Sequence, residues 1–227
     1  MYELRQYALK VGRRDALISL FERQLIEPQE SVGAMVVGYF RDLDEPDHFV
    51  WVRGFDNMRS RKLALAAFYE GEVWARYRTE ANATMVDSDN VLLLRPALAG
   101  SGFQLVPRTE PPKLRSDDVI VAGVHALRTD PAESELHDIA RELRQEVTSF
   151  GGSLLATLIT EPSVNDYPRL PVREGENVLV WFGRFSDRDL PESVVGGLKT
   201  LSTQCDAVQS KPSQLLRLAP AARSRIV

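Results

Sequence analysis

At 227 residues the chain has room for one large domain or two small ones, on roughly 150 residues per domain. With 44% apolar and 26% charged residues it has ordinary globular composition, which excludes a disordered polymer. Its 28 Lys and Arg against 32 Asp and Glu leave a net charge of -4, so there is no long-range attraction to nucleic acid or to anionic lipid, and neither is expected as a partner. Cys205 is the single cysteine. It excludes an intramolecular disulfide, a CxxC redox pair and a multi-thiolate zinc site; a reducing compartment and a buried structural thiol fit it best. The amino terminus is polar and alternating, without the apolar stretch of a secretory signal. The longest apolar runs, such as Val178 to Phe182, are strand-sized against the roughly 20 residues of a membrane helix. The expected location is the cytoplasm.

In chain order, Tyr2 to Lys10 alternates as a strand, with Glu3, Arg5 and Tyr7 on one side and Leu4, Gln6 and Ala8 on the other. Leu17, Leu20, Phe21 and Leu25 then recur at helical spacing to about Val32, with Pro28 weakening the last turns. Gly33 ends that helix. Ala34 to Arg41 and Phe49 to Phe55 read as a hairpin about the turn cluster Asp42 to Asp47. Two Ala- and Arg-rich helices, Arg59 to Tyr69 and Val73 to Thr84, precede a closing strand at Val91 to Arg95. From Ala99 to Asp118 the composition turns to Gly, Ser and Pro, as in a linker. The order then repeats. Val119 to Leu127 is a strand, and Asp130-Pro131-Ala132-Glu133 opens a helix with an acidic cap and an N1 proline. Leu136, Ile139, Ala140, Leu143, Val147 and Phe150 form its apolar stripe. Strands at Leu154 to Thr160 and Val178 to Phe185, a helix from Asp189 to Cys205 interrupted by Gly196 and Gly197, and a last strand at Leu215 to Leu218 complete the second unit.

The halves also match residue by residue. Tyr7-Ala8-Leu9-Lys10 parallels His125-Ala126-Leu127-Arg128 at an offset of 118, and Val50-Trp51-Val52-Arg53 parallels Val180-Trp181-Phe182-Gly183 at an offset of 130. The second half therefore carries 12 more residues, assigned to the loop Glu161 to Asn177. The fold class expected is α+β: two tandem ferredoxin-like (β-α-β-β-α-β) units, residues 1–98 and 119–220, joined by the linker 99–118.

The opening Tyr2-Glu3-Leu4-Arg5-Gln6-Tyr7-Ala8-Leu9-Lys10, Gly33 before Val37-Gly38-Tyr39, the strand Val50-Trp51-Val52 and the region Arg59 to Arg78 resemble the NIPSNAP family. The likeness continues in the second half, where Tyr167-Pro168-Arg169-Leu170-Pro171-Val172-Arg173-Glu174-Gly175-Glu176 resembles the hairpin loop of bacterial members. This resemblance implies a dimeric α+β barrel whose two ferredoxin-like units, here fused in one chain, face each other. It implies no settled chemistry.

Arg5, Tyr7, Trp51, Arg53 and His125 form the candidate pocket. An arginine beside a tyrosine hydroxyl can hold a carboxylate or a carbonyl, or it can simply bridge strands through Glu3. His125 occupies the repeat position of Tyr7, so that both can project into one shared space; a hydrogen-bonded core histidine, a base and a haem ligand are the readings left open. Trp51 is equally explained by burial. Tyr167, Arg169 and Arg173 are the candidate loop contacts, with a stiffened connector as the alternative. His48 and His137 are read as exposed. The histidines lack metal-box spacing, and there is no G-x-G-x-x-G, Walker, G-x-S-x-G or H-E-x-x-H motif, so no metal and no cofactor are expected. The function expected is small-molecule binding or interaction, in a homo-oligomer. The alternative is a cofactor-independent monooxygenase or isomerase using the barrel cavity.

Overall fold

Alternation builds the molecule. In β1 (Tyr2–Leu9) Leu4 and Gln6 turn one way, and Glu3, Arg5 and Tyr7 the other. The further strands are β2 (Met35–Asp42), β3 (His48–Gly54), β4 (Met85–Asp87), β5 (Val91–Pro96), β6 (Val119–Ala126), β7 (Ser153–Thr160), β8 (Val178–Phe185) and β9 (Gln214–Pro220). The computed structural model describes residues 1–115, 117–128, 130–186, 190–204 and 213–226, with only the backbone of 199–204 included. Cys205 and Asp189 lie outside the described residues.

Eight strands close into an antiparallel barrel in the order β1-β3-β2-β9-β6-β8-β7-β5, with β5 returning to β1 and the short β4 lying alongside β1. Two short ladders join the halves, Phe40–Asp42 with Leu218–Pro220 and Leu94–Pro96 with Leu158–Thr160. Closure leaves the eight strands without a free edge. The barrel interior is an apolar core of Leu4, Phe40, Val52, Leu94, Ile120, Leu158, Phe182 and Leu218. Toward one end Gln6 and Gln214 exchange amide hydrogen bonds of 3.2 and 2.9 Å. In the same core, Phe103 from the connecting segment meets Phe182 and Tyr2 edge-on, with centroids 4.9 and 5.4 Å away. The segment read as a linker is thus packed in place, with Val106 also buried and Arg108 paired to Glu30 at 2.8 Å.

Helices cover the outer faces. Over the first half lie α1 (Arg14–Leu20), a π-helical turn (Phe21–Leu25), α2 (Ile26–Ser31), α3 (Met58–Tyr69) and α4 (Glu72–Asn82). The π turn stands just ahead of Pro28, which has no N–H to give and whose ring crowds the carbonyl four residues back. In α3, Asn57 and Ser60 bond each other's backbone N–H at 2.9 Å. Over the second half lie α5 (Glu133–Ser149) and α6 (Glu192–Gln204). Helix α5 starts later than the Asp130-Pro131 signal suggests, because Glu135 reaches back to the Ala132 N–H at 2.7 Å and supplies the cap. No helix among the described residues is long and apolar enough to cross a membrane.

Two glycines of the second half are explained by close approach. A Cβ on Gly197 would stand 2.3 Å from Cζ of Phe150, so the glycine lets α6 settle against the end of α5. A Cβ on Gly123 would stand 2.3 Å from Trp181 Nε1 and 2.8 Å from His125 Nε2. We therefore expect Gly123→Ala to cost about 1–3 kcal/mol in urea denaturation, the range for overpacking a full core.

Candidate functional site

The strand register assembles the first cluster. In the β1–β3 ladder Glu3 lies opposite Arg53 and Arg5 opposite Trp51, all on the outer face beneath the helices. Arg61 reaches the same place from α3, where Arg61, Ala64, Leu65 and Phe68 occupy one buried stripe. Glu3 is fully buried and meets three guanidiniums: Arg5 Nη1 at 2.8 Å, Arg53 Nε at 2.5 Å and Arg61 Nε at 2.6 Å. Burial by itself would raise the Glu3 carboxyl, but Arg53, Arg5 and Arg61 together hold it far below the usual carboxylate range. Arg5 Nε donates to the Tyr7 hydroxyl at 2.8 Å, and Arg53 Nη1 donates to Gln29 Oε1 at 3.2 Å. Burial raises the Tyr7 hydroxyl, which remains a neutral acceptor. Trp51 flanks both Arg5 and Arg53, whose Cζ atoms lie 5.6 and 5.2 Å from its ring.

Four of the five expected pocket residues, Arg5, Tyr7, Trp51 and Arg53, therefore stand together. His125 does not join them. Strand β6 is four places from β1 in either direction round the ring of eight, and His125 sits under the helices of the other half. The shared space expected between Tyr7 and His125 is the apolar barrel core, and both side chains face away from it. Trp181 Nε1 donates to His125 Nε2 at 2.8 Å; since an indole can only donate, the neutral imidazole carries its proton on Nδ1, which lies 3.0 Å from Ser213 Oγ. In that tautomer Nδ1 cannot accept the serine proton, and neither ring nitrogen is left for a haem iron. Burial pushes the His125 pKa down from 6.5 to about 4. His137 is exposed and His48 is half-buried.

The loop 161–177 crosses from the second half onto the first. It spans 17 residues between β7 and β8, against the five of 43–47 between β2 and β3, a difference of 12 that equals the difference between the two sequence offsets. Glu161 N–H donates to Leu93 O at 2.9 Å and Arg173 N–H to Val91 O at 2.8 Å, pinning both ends along β5. Its tip docks on α3. Asn165 Oδ1 and Asp166 Oδ1 accept from Arg61 Nη1 at 3.1 and 2.7 Å, Tyr167 is buried and stacked on Tyr69, and Arg169 pairs with Glu70 at 3.1 Å. Tyr167 is thus an anchor within the chain. Arg173 is held by Glu176 at 2.9 Å and Asn90 at 3.3 Å.

Beneath this loop is a cleft of about 530 Å3. Leu93, Leu136 and Ile159, all largely buried, give it apolar lining, while Arg95 and Arg173 face the carboxylates of Asp130, Glu161, Glu174 and Glu176. Acidic groups are in surplus, four against two. Sequence reasoning singled out the loop and Arg173 but missed the cleft, because its lining comes from β5, β7 and α5, which only barrel closure brings together.

The NIPSNAP family model matches residues 2–98. Residues 2–98 form a NIPSNAP domain. No curated protein matches the sequence. A NIPSNAP family protein of unknown function from Agrobacterium tumefaciens is 25% identical over 40% of this chain and 84% of its own, at a TM-score of 0.37. Solved structures that align with nearly the whole chain include the following two. A candidate monooxygenase from Lactobacillus acidophilus is 14% identical, covers 100% of this chain and 97% of its own, and has a TM-score of 0.59. An anthrone oxidase-like protein is 11% identical, covers 97% and 90%, and has a TM-score of 0.52. At these identities the likeness is one of fold, an α+β barrel. Glu3, Arg5, Tyr7, Trp51, Arg53 and Arg61 all belong to the NIPSNAP domain, whereas His125 and the loop 161–177 lie outside it. The cleft draws on both sides of that boundary.

Proposed function

We propose that this NIPSNAP-domain protein binds a small, uncharged or cationic amphipathic molecule in the cleft beneath the loop 161–177. The observation that carries the reading is the cleft itself: some 530 Å3, within the range of small-molecule sites, apolar in part of its lining and carrying a surplus of carboxylates. The apolar part of a ligand would lie against Leu93, Leu136 and Ile159, and Glu161 or Glu174 would meet its polar or basic group. The proposal includes two ferredoxin-like units in tandem, supported by the strand orders β2-β3-β1-β5 and β7-β8-β6-β9, each with its helices on the outer face. The single cysteine supports a cytoplasmic setting. A homo-oligomer would pair through helices, loops or the outer edge of the short β4, since closure leaves the eight barrel strands without a free edge.

One observation favours a second, catalytic reading: the two whole-chain structural matches described above carry oxygenase or oxidase descriptions. Such chemistry would have to use the cleft or the arginine cluster, because apolar side chains occupy the barrel interior. Native mass spectrometry of the chain purified from its host, beside Val164→Trp, tests binding. Val164 lines the cleft and is 82% exposed, so the indole fills space without touching the core. We expect a small-molecule adduct on the parent chain that is absent or at least about tenfold depleted on the variant, corresponding to about 1.4 kcal/mol of affinity. An adduct of equal abundance on both would overturn the cleft assignment.

A further inference from the structure

We propose that the buried arginine cluster of the NIPSNAP domain is a binding site for the carboxylate of a small acid, and that Asp166 of the loop occupies the place of that carboxylate in the closed chain. This does not rest on the cleft reading: the two sites share Asn165, but the cleft's surplus of acidic groups disfavours anions.

Arg5, Arg53 and Arg61 cannot be deprotonated in a protein, and Glu3 is the carboxylate buried among them. The second carboxylate in contact is Asp166, 2.7 Å from Arg61 Nη1 and the only one of these five side chains with substantial exposure, 25%. Three cations against two anions leave an excess positive charge under an aromatic cover, where uncompensated charge is costly. Arg53 Nη2, Arg61 Nη2 and Trp51 Nε1 are buried and have no hydrogen-bond partner among the described residues. Buried donors are ordinarily paired, so unpaired ones around a cationic cluster mark a place for an acceptor.

Asp166 is brought to Arg61 by the loop tip, which the other half supplies, while Glu161 and Arg173 keep the loop ends on β5. Residues 165–170 are the part of the loop that touches α3, through Arg61, Tyr69 and Glu70. The guanidinium of Arg53 is surrounded by flat rings, with Trp51, Phe55 and Tyr69 centroids 5.2, 5.6 and 5.8 Å from its Cζ. A planar carboxylate on a short apolar or aromatic body matches a planar guanidinium fork between rings better than a tetrahedral dianion does.

The test is titration of the 15N-labelled full chain with sodium acetate and sodium benzoate at constant ionic strength, observing the indole N–H groups of Trp51, Trp74 and Trp181. We expect a saturable shift of the Trp51 signal, with Trp181, bonded to His125, unmoved. Asp166→Asn removes the competing charge at a partly exposed position and should tighten the apparent Kd about tenfold. Asn165→Asp adds a carboxylate at the same guanidinium and should weaken it by a similar factor. Equal affinities in the parent chain and both variants would overturn the proposal. So would a Trp51 shift produced as well by chloride, or saturation by phosphate and not by either carboxylate.

Discussion

Glu3→Gln is expected to lower the unfolding free energy by about 3–5 kcal/mol, the range for removing one partner of a buried ion pair. The amide keeps the shape of the side chain, so the loss isolates charge. Without the carboxylate, Arg5, Arg53 and Arg61 face one another with only Asp166 in compensation, at the edge of the group. Two observations make the effect large: all four side chains are at most 2% exposed, and three separate chain segments, β1, β3 and α3, meet on the same two oxygens. Exposed pairs provide the contrast. Arg169→Ala, which breaks a pair with Glu70 at 69% and 57% exposure, should change stability by less than about 1 kcal/mol. Urea denaturation followed by tryptophan fluorescence measures both. A loss below about 1 kcal/mol for Glu3→Gln would mean that the arginines are paired elsewhere.

Acid should weaken the chain in a window set by His125. Its pKa is 6.5 when unfolded and about 4 when folded, because burial disfavours the imidazolium. Between those values the unfolded chain binds a proton that the folded chain does not, so stability rises with pH there and is fully present above about 6.5. The difference corresponds to roughly 3 kcal/mol lost by pH 4, at 1.36 kcal/mol per pKa unit. Protonation would also require Nε2 to give up the Trp181 N–H as a partner, a cost that follows directly from the 2.8 Å bond. Glu3 adds a second stage. Its folded pKa lies far below the ordinary 4.5, so its contribution is present above that value and is lost as pH falls below it. Urea midpoints taken at half-unit intervals from pH 7.5 to 4 should therefore decline through the upper stage in the parent chain, and the decline should largely vanish in His125→Gln. A flat profile in the parent would show that His125 titrates normally in the fold.

The elements that were legible in the sequence are those governed by local periodicity. The alternation of Tyr2 to Leu9 separates Leu4 from Glu3, Arg5 and Tyr7, and that separation holds, but it is Leu4 that faces the barrel interior while the face of Tyr7 lies beneath the helices. The extra residues of the second half fall in the loop 161–177, as the repeat offsets require. What was illegible depends on closure. Residues 99–118 have the composition of a tether, but Phe103 packs between Tyr2 and Phe182, an aromatic pairing that no spacing in that segment signals. Tyr7 lies opposite Phe49 and His125 opposite Leu179 in their own ladders, yet the two strands stand on opposite walls of the barrel, where outward-facing side chains point opposite ways. Arg61 left one usable trace, an arginine in line with Ala64, Leu65 and Phe68 on the buried face of α3, where a cation needs a buried partner. Asn165 and Asp166, which reach it across more than a hundred residues, left none.

The binding account is tested most directly by a crystal structure of the chain soaked with a mixture of small amphipathic amines and neutral aromatic compounds. The account predicts a bound molecule between the loop 161–177 and the side chains of Leu93, Leu136 and Ile159, with its polar end toward Glu161 or Glu174. Compounds bound only at other surfaces, with the cleft holding solvent at the same concentrations, would contradict it.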